Sequence, residues 1–240
     1  MFKLLSTANP KIQKGTKLGY LSFILHLAPA DVSGKNTCPK ATAGCRAACL
    51  NTAGRGGMFK RGETTNAIQK ARIRKTVQFF FDRDQFMLDL AYDIQKAVRF
   101  AEKQGLTPVI RLNGTSDIAW EKYEVPVFCT ENIFELFPTV QFYDYTKVLG
   151  RKVKDIPNYH LTFSKADGND ADVAAAIEQG YNIAAVFDDL PESYMGLPVI
   201  NADETDLRFL DPKGCIAGLK AKGRAKKDYT GFVIRLKEVA

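Results

Sequence analysis

The hydrophobic and polar positions of this chain fall into two patterns. From residue 107 onward, short apolar runs alternate with polar connections: TPVIRLN (107–113), TVQFY (139–143), YHLTF (159–163), NIAAVF (182–187), PVIN (198–201) and CIAGL (215–219). Runs of this length, rich in branched and aromatic side chains, predict buried strands. Helical segments are expected between them at 131–137, 147–154 and 171–179. Strands separated by helices imply a mainly parallel sheet wrapped by helices. The run GYLSFILHLA at 19–28 adds a first strand, giving seven. The expected fold class is therefore α/β, a partial or distorted (β/α) barrel of mainly parallel strands.

Between the first strand and the repeats the period changes to that of helices. Residues 64–81 place Ala67, Ile68, Ala71 and Val77 opposite a basic face. Residues 84–104 place Phe86, Leu90, Ile94 and Val98 at helical spacing, with Asp84 at the start and Gly105 just past the end. The pair is expected to cover the outside of the sheet, and Phe79, Phe80 and Phe81 read as packing residues. The chain reads as one domain: strand and cysteine loop (19–63), helix pair (64–104), strand–helix repeats (107–222) and a closing extension (223–240) that adds a strand or hairpin.

Composition sets limits on this picture. With 240 residues, 45% hydrophobic and 25% charged, the chain can bury one sizeable core. No apolar run approaches the roughly 18 residues of a membrane span, so no membrane partner is expected and the expected location is the cytoplasm. The net charge is +7, with basic residues crowded at 60–75 and 213–227. Such a face is most often solvated surface; its functional reading is nucleic-acid binding through the basic helices. Several catalytic classes are excluded by sequence: there is no Walker A motif, no G-x-S-x-G, no H-E-x-x-H and no Rossmann fingerprint. Only two histidines, His26 and His160, are present, which excludes a histidine-rich zinc hydrolase.

The densest chemistry lies in NTCPKATAGCRAACLNTAGRGGM at 36–58, where Cys38, Cys45 and Cys49 form C-x6-C-x3-C. Turn-forming residues let the first gap fold back, and the second gap, one helical turn, puts Cys45 and Cys49 on one face of a short helix at Ala47 and Ala48. Three thiolates suit an iron–sulfur cluster first and zinc second, with a disulfide or idle thiols last. With only three local sulfurs, one metal position stays open for a ligand. His26 is the better of the two histidines for an extra ligand, although a satisfied core role is its ordinary reading. Cys129 and Cys215 read as buried small residues.

In parallel α/β folds the chemistry gathers past the carboxyl ends of the strands. The residues expected to form a pocket there, facing the cysteine loop, are Asn113, Ser116, Asp117, Asp144, Lys147, Ser164 and Lys165. Lysines at strand ends, with Lys220 and Lys222 at the seventh, can cradle a carboxylate or phosphate. The aspartates can orient an amine or hydroxyls. Capping and turn roles are the bland alternative for Asn113, Asp117 and Asp167.

CPKATAGCRAACL, RLNGTSDIAWE, QFYDYTK, YHLTFSKAD and INADETDLRFLDPKG resemble, in this order, a family of phage proteins of unknown function, the gene product 88-like proteins. That resemblance implies phage origin, hence the host cytoplasm, and supplies no activity. More loosely, the order of first strand, three-cysteine loop and parallel strands is similar to radical S-adenosylmethionine proteins. There the usual spacing is C-x3-C-x2-C rather than C-x6-C-x3-C. The resemblance implies a [4Fe–4S] cluster on Cys38, Cys45 and Cys49 with S-adenosylmethionine at the open iron. The functional expectation is an iron–sulfur protein, with a radical-type enzyme acting on an anionic small molecule as its sharpest form. The alternatives are a cluster-containing redox or structural binding protein, and a Zn2+-stabilised nucleic-acid-binding protein.

Overall fold

A computed structural model describes residues 2–7, 14–126 and 131–236. Its strands are β1 (Leu5–Ser6), β2 (Tyr20–Leu25), β3 (Thr107–Arg111), β4 (Gln141–Thr146), β5 (Tyr159–Ser164), β6 (Ile183–Phe187), β7 (Ser193–Tyr194), β8 (Leu197–Asn201), β9 (Ile216–Lys220) and β10 (Val233–Ile234). Its helices are α1 (Ala43–Ala47), α2 (Ala67–Phe81), α3 (Arg83–Glu102), α4 (Ile133–Leu136) and α5 (Asp170–Glu178). The expected helix over 147–154 is absent; turns occupy that stretch. Gly150 there has φ +70°, a left-handed conformation that ends a helix.

All ten strands join one sheet, in the order β1-β2-β3-β4-β5-β6-β9-β8-β7, with β10 paired to β6. The neighbours from β2 through to β8 are parallel, while β1 and β7 pair antiparallel at the two ends. The sheet is thus mainly parallel but open, with two edges, so closure into a barrel is not realised. β5 pairs with the start of β6 (Ile183, Ala184) and β10 with its end (Val186, Phe187), so the closing segment extends the sheet beyond the end of β5.

Register decides which side chains share a face. Ile24 lies beside Arg111, Tyr145 beside Thr162, and Ser164 beside Ala184, and the alternate positions point to the opposite face. On that opposite face Phe23, Leu25, Ile110, Leu112 and Phe142 pack with Phe79, Phe86, Leu90 and Ile94 of α2 and α3 in the main core. This is the outside cover expected of the helix pair. Phe79 is fully buried whereas Phe81 is 71% exposed, so the three phenylalanines divide with the helical period. Cys215 is buried, and Cys129 lies outside the described residues. On the inner face, Leu207 and Phe209 from the β8–β9 connection pack on Tyr20, Val109 and Tyr143. They fill its lower part and leave the carboxyl ends of the strands open above. Among the described residues no helix is long and apolar enough to cross a membrane.

Candidate functional site

Three loops build the wall above the strand ends, and hydrogen bonds from the recurring sequence motifs hold them together. The loop after β3 is knitted by Asn113, whose side-chain oxygen accepts from Ser116 Oγ (2.9 Å), the Ile118 amide (2.9 Å) and Trp120 Nε1 (3.1 Å). Gly114 crosses β2 so closely that a Cβ there would lie 2.7 Å from the Leu25 carbonyl oxygen and 2.8 Å from the His26 ring. Thr115 donates to the Leu27 carbonyl (2.6 Å), and the Asp117 amide donates to Thr37 O (2.8 Å). Asp117 in turn accepts from the Lys147 amide (2.8 Å), tying the β3 loop to the end of β4. Below it, Arg151 makes a two-pronged contact with Glu121 (2.6 and 2.5 Å).

The cysteine loop is pinned from the other side. Thr42 caps α1 by accepting from the Cys45 amide (3.2 Å) and donates to Asp167, just past β5, whose carboxylate also accepts from the Gly44 amide (3.1 Å). Burial alone would raise the Asp167 carboxyl, but these hydrogen bonds outweigh it and hold it below the usual carboxylate range. A Cβ on Gly44 would fall 2.0 Å from Thr230 Oγ1 and 2.7 Å from Asp167 Oδ1, so a larger residue here would have to displace the side chains that hold the loop. The helix ends at Ala47, and Cys49 lies past it, accepting from the Asn51 amide (3.5 Å) at the start of a 3₁₀ turn, Leu50–Thr52. Cys45 and Cys49 are therefore not on one helix face as the spacing predicts. Ala48 is the C-cap, and the chain turns there.

Together these loops enclose a cavity of about 510 Å³. Cys38, Cys45 and Cys49 all line it, each partly buried. So do Asn113, Ser116, Asp117, Lys147, Ser164 and Lys165 from the strand ends. Asp144 does not. It sits in the even register of β4 on the helix-covered face, fully buried, accepting from the Asn113 amide (2.7 Å) and from Tyr159 (3.0 Å). Lys165 is committed elsewhere: its ammonium donates to Ala166 O (2.7 Å) and pairs with Asp170 (3.2 Å).

The sequence reading missed two arginines. Arg72 belongs to the basic stretch of α2, yet it turns inward with Lys75, while Lys60, Arg61, Lys70 and Arg74 stay exposed. Arg111 is a cation within an apolar strand, and that anomaly was the available signal. It bonds Asp206 (2.9 Å) and lies 4.6 Å from the centre of the Tyr145 ring. His26 lines the same cavity; burial first, then Arg72 and Arg111, push its imidazole down to about 3, so it is neutral at physiological pH.

The thiols carry opposing influences. Burial raises the Cys38 thiol, opposed by the Ala30 amide (3.3 Å) and the Thr37 hydroxyl; burial also raises Cys49, opposed by the Asn51 amide. Amide donors aimed at sulfur are what a metal-bound thiolate needs. Among the described residues no group of three or more His, Cys, Asp or Glu side chains stands ready to hold a metal ion. The three thiols line a common space, and Cys49 lies within electrostatic reach of both Cys45 and Cys38.

A family model described as Gene product 88 matches residues 3–236, nearly the whole chain. No curated protein and no solved structure matches. The likeness to radical S-adenosylmethionine proteins therefore rests on the sequence pattern alone.

Proposed function

The chain belongs to the gene product 88 family, a phage-type family whose name carries no reaction, and from that premise we propose that it is an iron–sulfur protein with a small-molecule pocket. In this reading Cys38, Cys45 and Cys49 hold a [4Fe–4S] cluster at the mouth of the cavity. The observation that carries it is that all three thiols line one cavity, two of them with backbone amides directed at their sulfurs. A cluster, which brings its own sulfides, suits three thiolates that share a space, whereas a structural zinc is usually closed by a fourth protein ligand. When bound, the cluster would supply electron transfer and one iron free of protein ligands. The chain's own part is to hold the loop on two sides: the Thr115 and Asp117 loop against Cys38, and Asp167 against the N-terminus of the Cys45 helix. S-adenosylmethionine remains the specific ligand to test at the open position, since its amine and carboxylate could chelate one iron.

The test is anaerobic purification and reconstitution with iron and sulfide. Broad visible absorbance that reductant bleaches is expected for the wild type and for Cys215→Ser, and is lost in Cys38→Ala, Cys45→Ala and Cys49→Ala. Colourless protein holding stoichiometric zinc would sink the cluster and favour the zinc alternative. A loaded protein to which S-adenosylmethionine does not bind in calorimetry would leave a redox or structural cluster protein.

A further inference from the structure

The charges inside the cavity do not balance. Six cationic side chains line it: Arg72, Arg111, Lys147, Lys165, Lys220 and Lys222. Four have acidic partners: Arg111 with Asp206 (2.9 Å), Lys165 with Asp170 (3.2 Å), Lys220 with Asp189 (2.7 Å) and Lys222 with Asp203 (2.6 Å). Arg72 and Lys147 form no salt bridge among the described residues, although the Asp117 carboxylate, which accepts from the Lys147 amide, lies within electrostatic reach of Lys147. Arg72 is nonetheless held in place, its Nη1 donating to the Asn51 side chain (2.7 Å) and carbonyl (3.2 Å).

Hydrogen bonding is incomplete at the same place. The Nε groups of Arg72 and Arg111 are both buried without an acceptor. A buried donor left unmet is unfavourable, the more so on a charged group, and both of these side chains also line the cavity. His26 lines the same cavity within electrostatic reach of both arginines and is uncharged, so it adds hydrogen-bonding capacity without further positive charge. Ile24 beside Arg111 in the register, and Tyr145 against its guanidinium, keep that side chain from swinging away.

The opposite wall is of another kind. Ala184, Val186, Leu219, Ala225 and Phe232, from β6, β9 and the closing segment, line it with apolar groups. The cations without a salt bridge thus lie toward β2–β4, while the β6–β10 side is mainly apolar, its Lys220 and Lys222 being paired with Asp189 and Asp203.

We propose that it binds a small amphiphilic anion, with a carboxylate or phosphate head on Arg72, Arg111 and Lys147 and an apolar body against Val186, Leu219 and Phe232. This rests on the cavity of the preceding reading and not on the cluster. The competing use of Arg72 and Lys147 is as counter-charge to the thiolates, and binding data separate the two.

Calorimetry with phenylbutyrate, phenyl phosphate and neutral phenylbutanol, on the protein as isolated and after chelation, provides the test. At least one anion should bind both preparations, and the alcohol at least about tenfold more weakly. Whichever anion is tighter identifies the head group. Lys147→Gln, which breaks no salt bridge, and Arg72→Gln should each weaken the anion about tenfold, roughly the strength of one charge-assisted contact. Arg74→Gln, an exposed loss of charge on the same helix, should leave it unchanged. Equal affinity for the alcohol, no binding of either anion at millimolar concentration, or undiminished anion affinity in both Lys147→Gln and Arg72→Gln would overturn the proposal. Loss of the visible chromophore with anion binding retained would remove the cluster and leave this site intact.

Discussion

Burial raises the Asp144 carboxyl to about 7, because its hydrogen bonds from the Asn113 amide and Tyr159 and the nearby arginines only partly offset desolvation. In the unfolded chain the same group titrates near 3.8, so between these values the folded state holds a proton that the unfolded state has released. Its contribution to stability is complete at the acid end and is lost as pH rises through about 7. Asp144→Asn keeps the shape and removes the titration. Urea unfolding at about pH 5 and about pH 7 should show the wild type losing on the order of 1 kcal/mol per pH unit more than the variant. Parallel slopes would show that Asp144 is already ionised in the fold. Asn113 illustrates a different point: Asn-Gly-Thr-Ser-Asp reads in sequence as a binding loop, but its first residue spends its side chain on Ser116, Ile118 and Trp120. Two residues apart in function can be adjacent in sequence, and only hydrogen-bond partners separate them.

Helix α1 has five residues, too few to persist without outside help. Its support is Thr42 at the N-cap and Asp167 bonded to Thr42 and the Gly44 amide. Asp167→Ala should therefore cost about 1 kcal/mol in denaturant unfolding and, in the cluster reading, hasten iron loss to a chelator. Because hydrogen bonds hold this carboxyl below its ordinary range, its support is present above that range and fades as pH falls through the lowered value. A variant with unchanged stability and unchanged chelation kinetics would show that the loop is held by packing alone. The pattern for α2 and α3 was readable because their apolar positions repeat over many turns. The short α1 and the turn at Ala48 were not, since a single x3 gap fits a helix and a helix end equally well.

Across the molecule, the main core and the core around β6 and β9 contain none of the three loop cysteines, and the loop is tied down by hydrogen bonds through Thr37, Thr115 and Asp167. Chelated protein should therefore keep its far-ultraviolet circular dichroism and a single cooperative melt, with a lowered midpoint only. Collapse to an unfolded spectrum on chelation would place the metal among the determinants of the whole fold, as in zinc fingers. The parallel α/β class, the helix pair and the strand ends as the place where polar residues gather were legible in the chain alone, because they follow from local periodicity and from a topological rule that holds for parallel sheets in general. Long-range contacts alone settled that the sheet stays open, that Asp144 faces the helices, that Lys165 is spent on Asp170, and that Arg72, Arg111 and His26 line one cavity. Each of these depends on register between strands or on partners far apart in the chain. A one-residue change of register reverses which face a side chain occupies, and nothing local in the sequence fixes it.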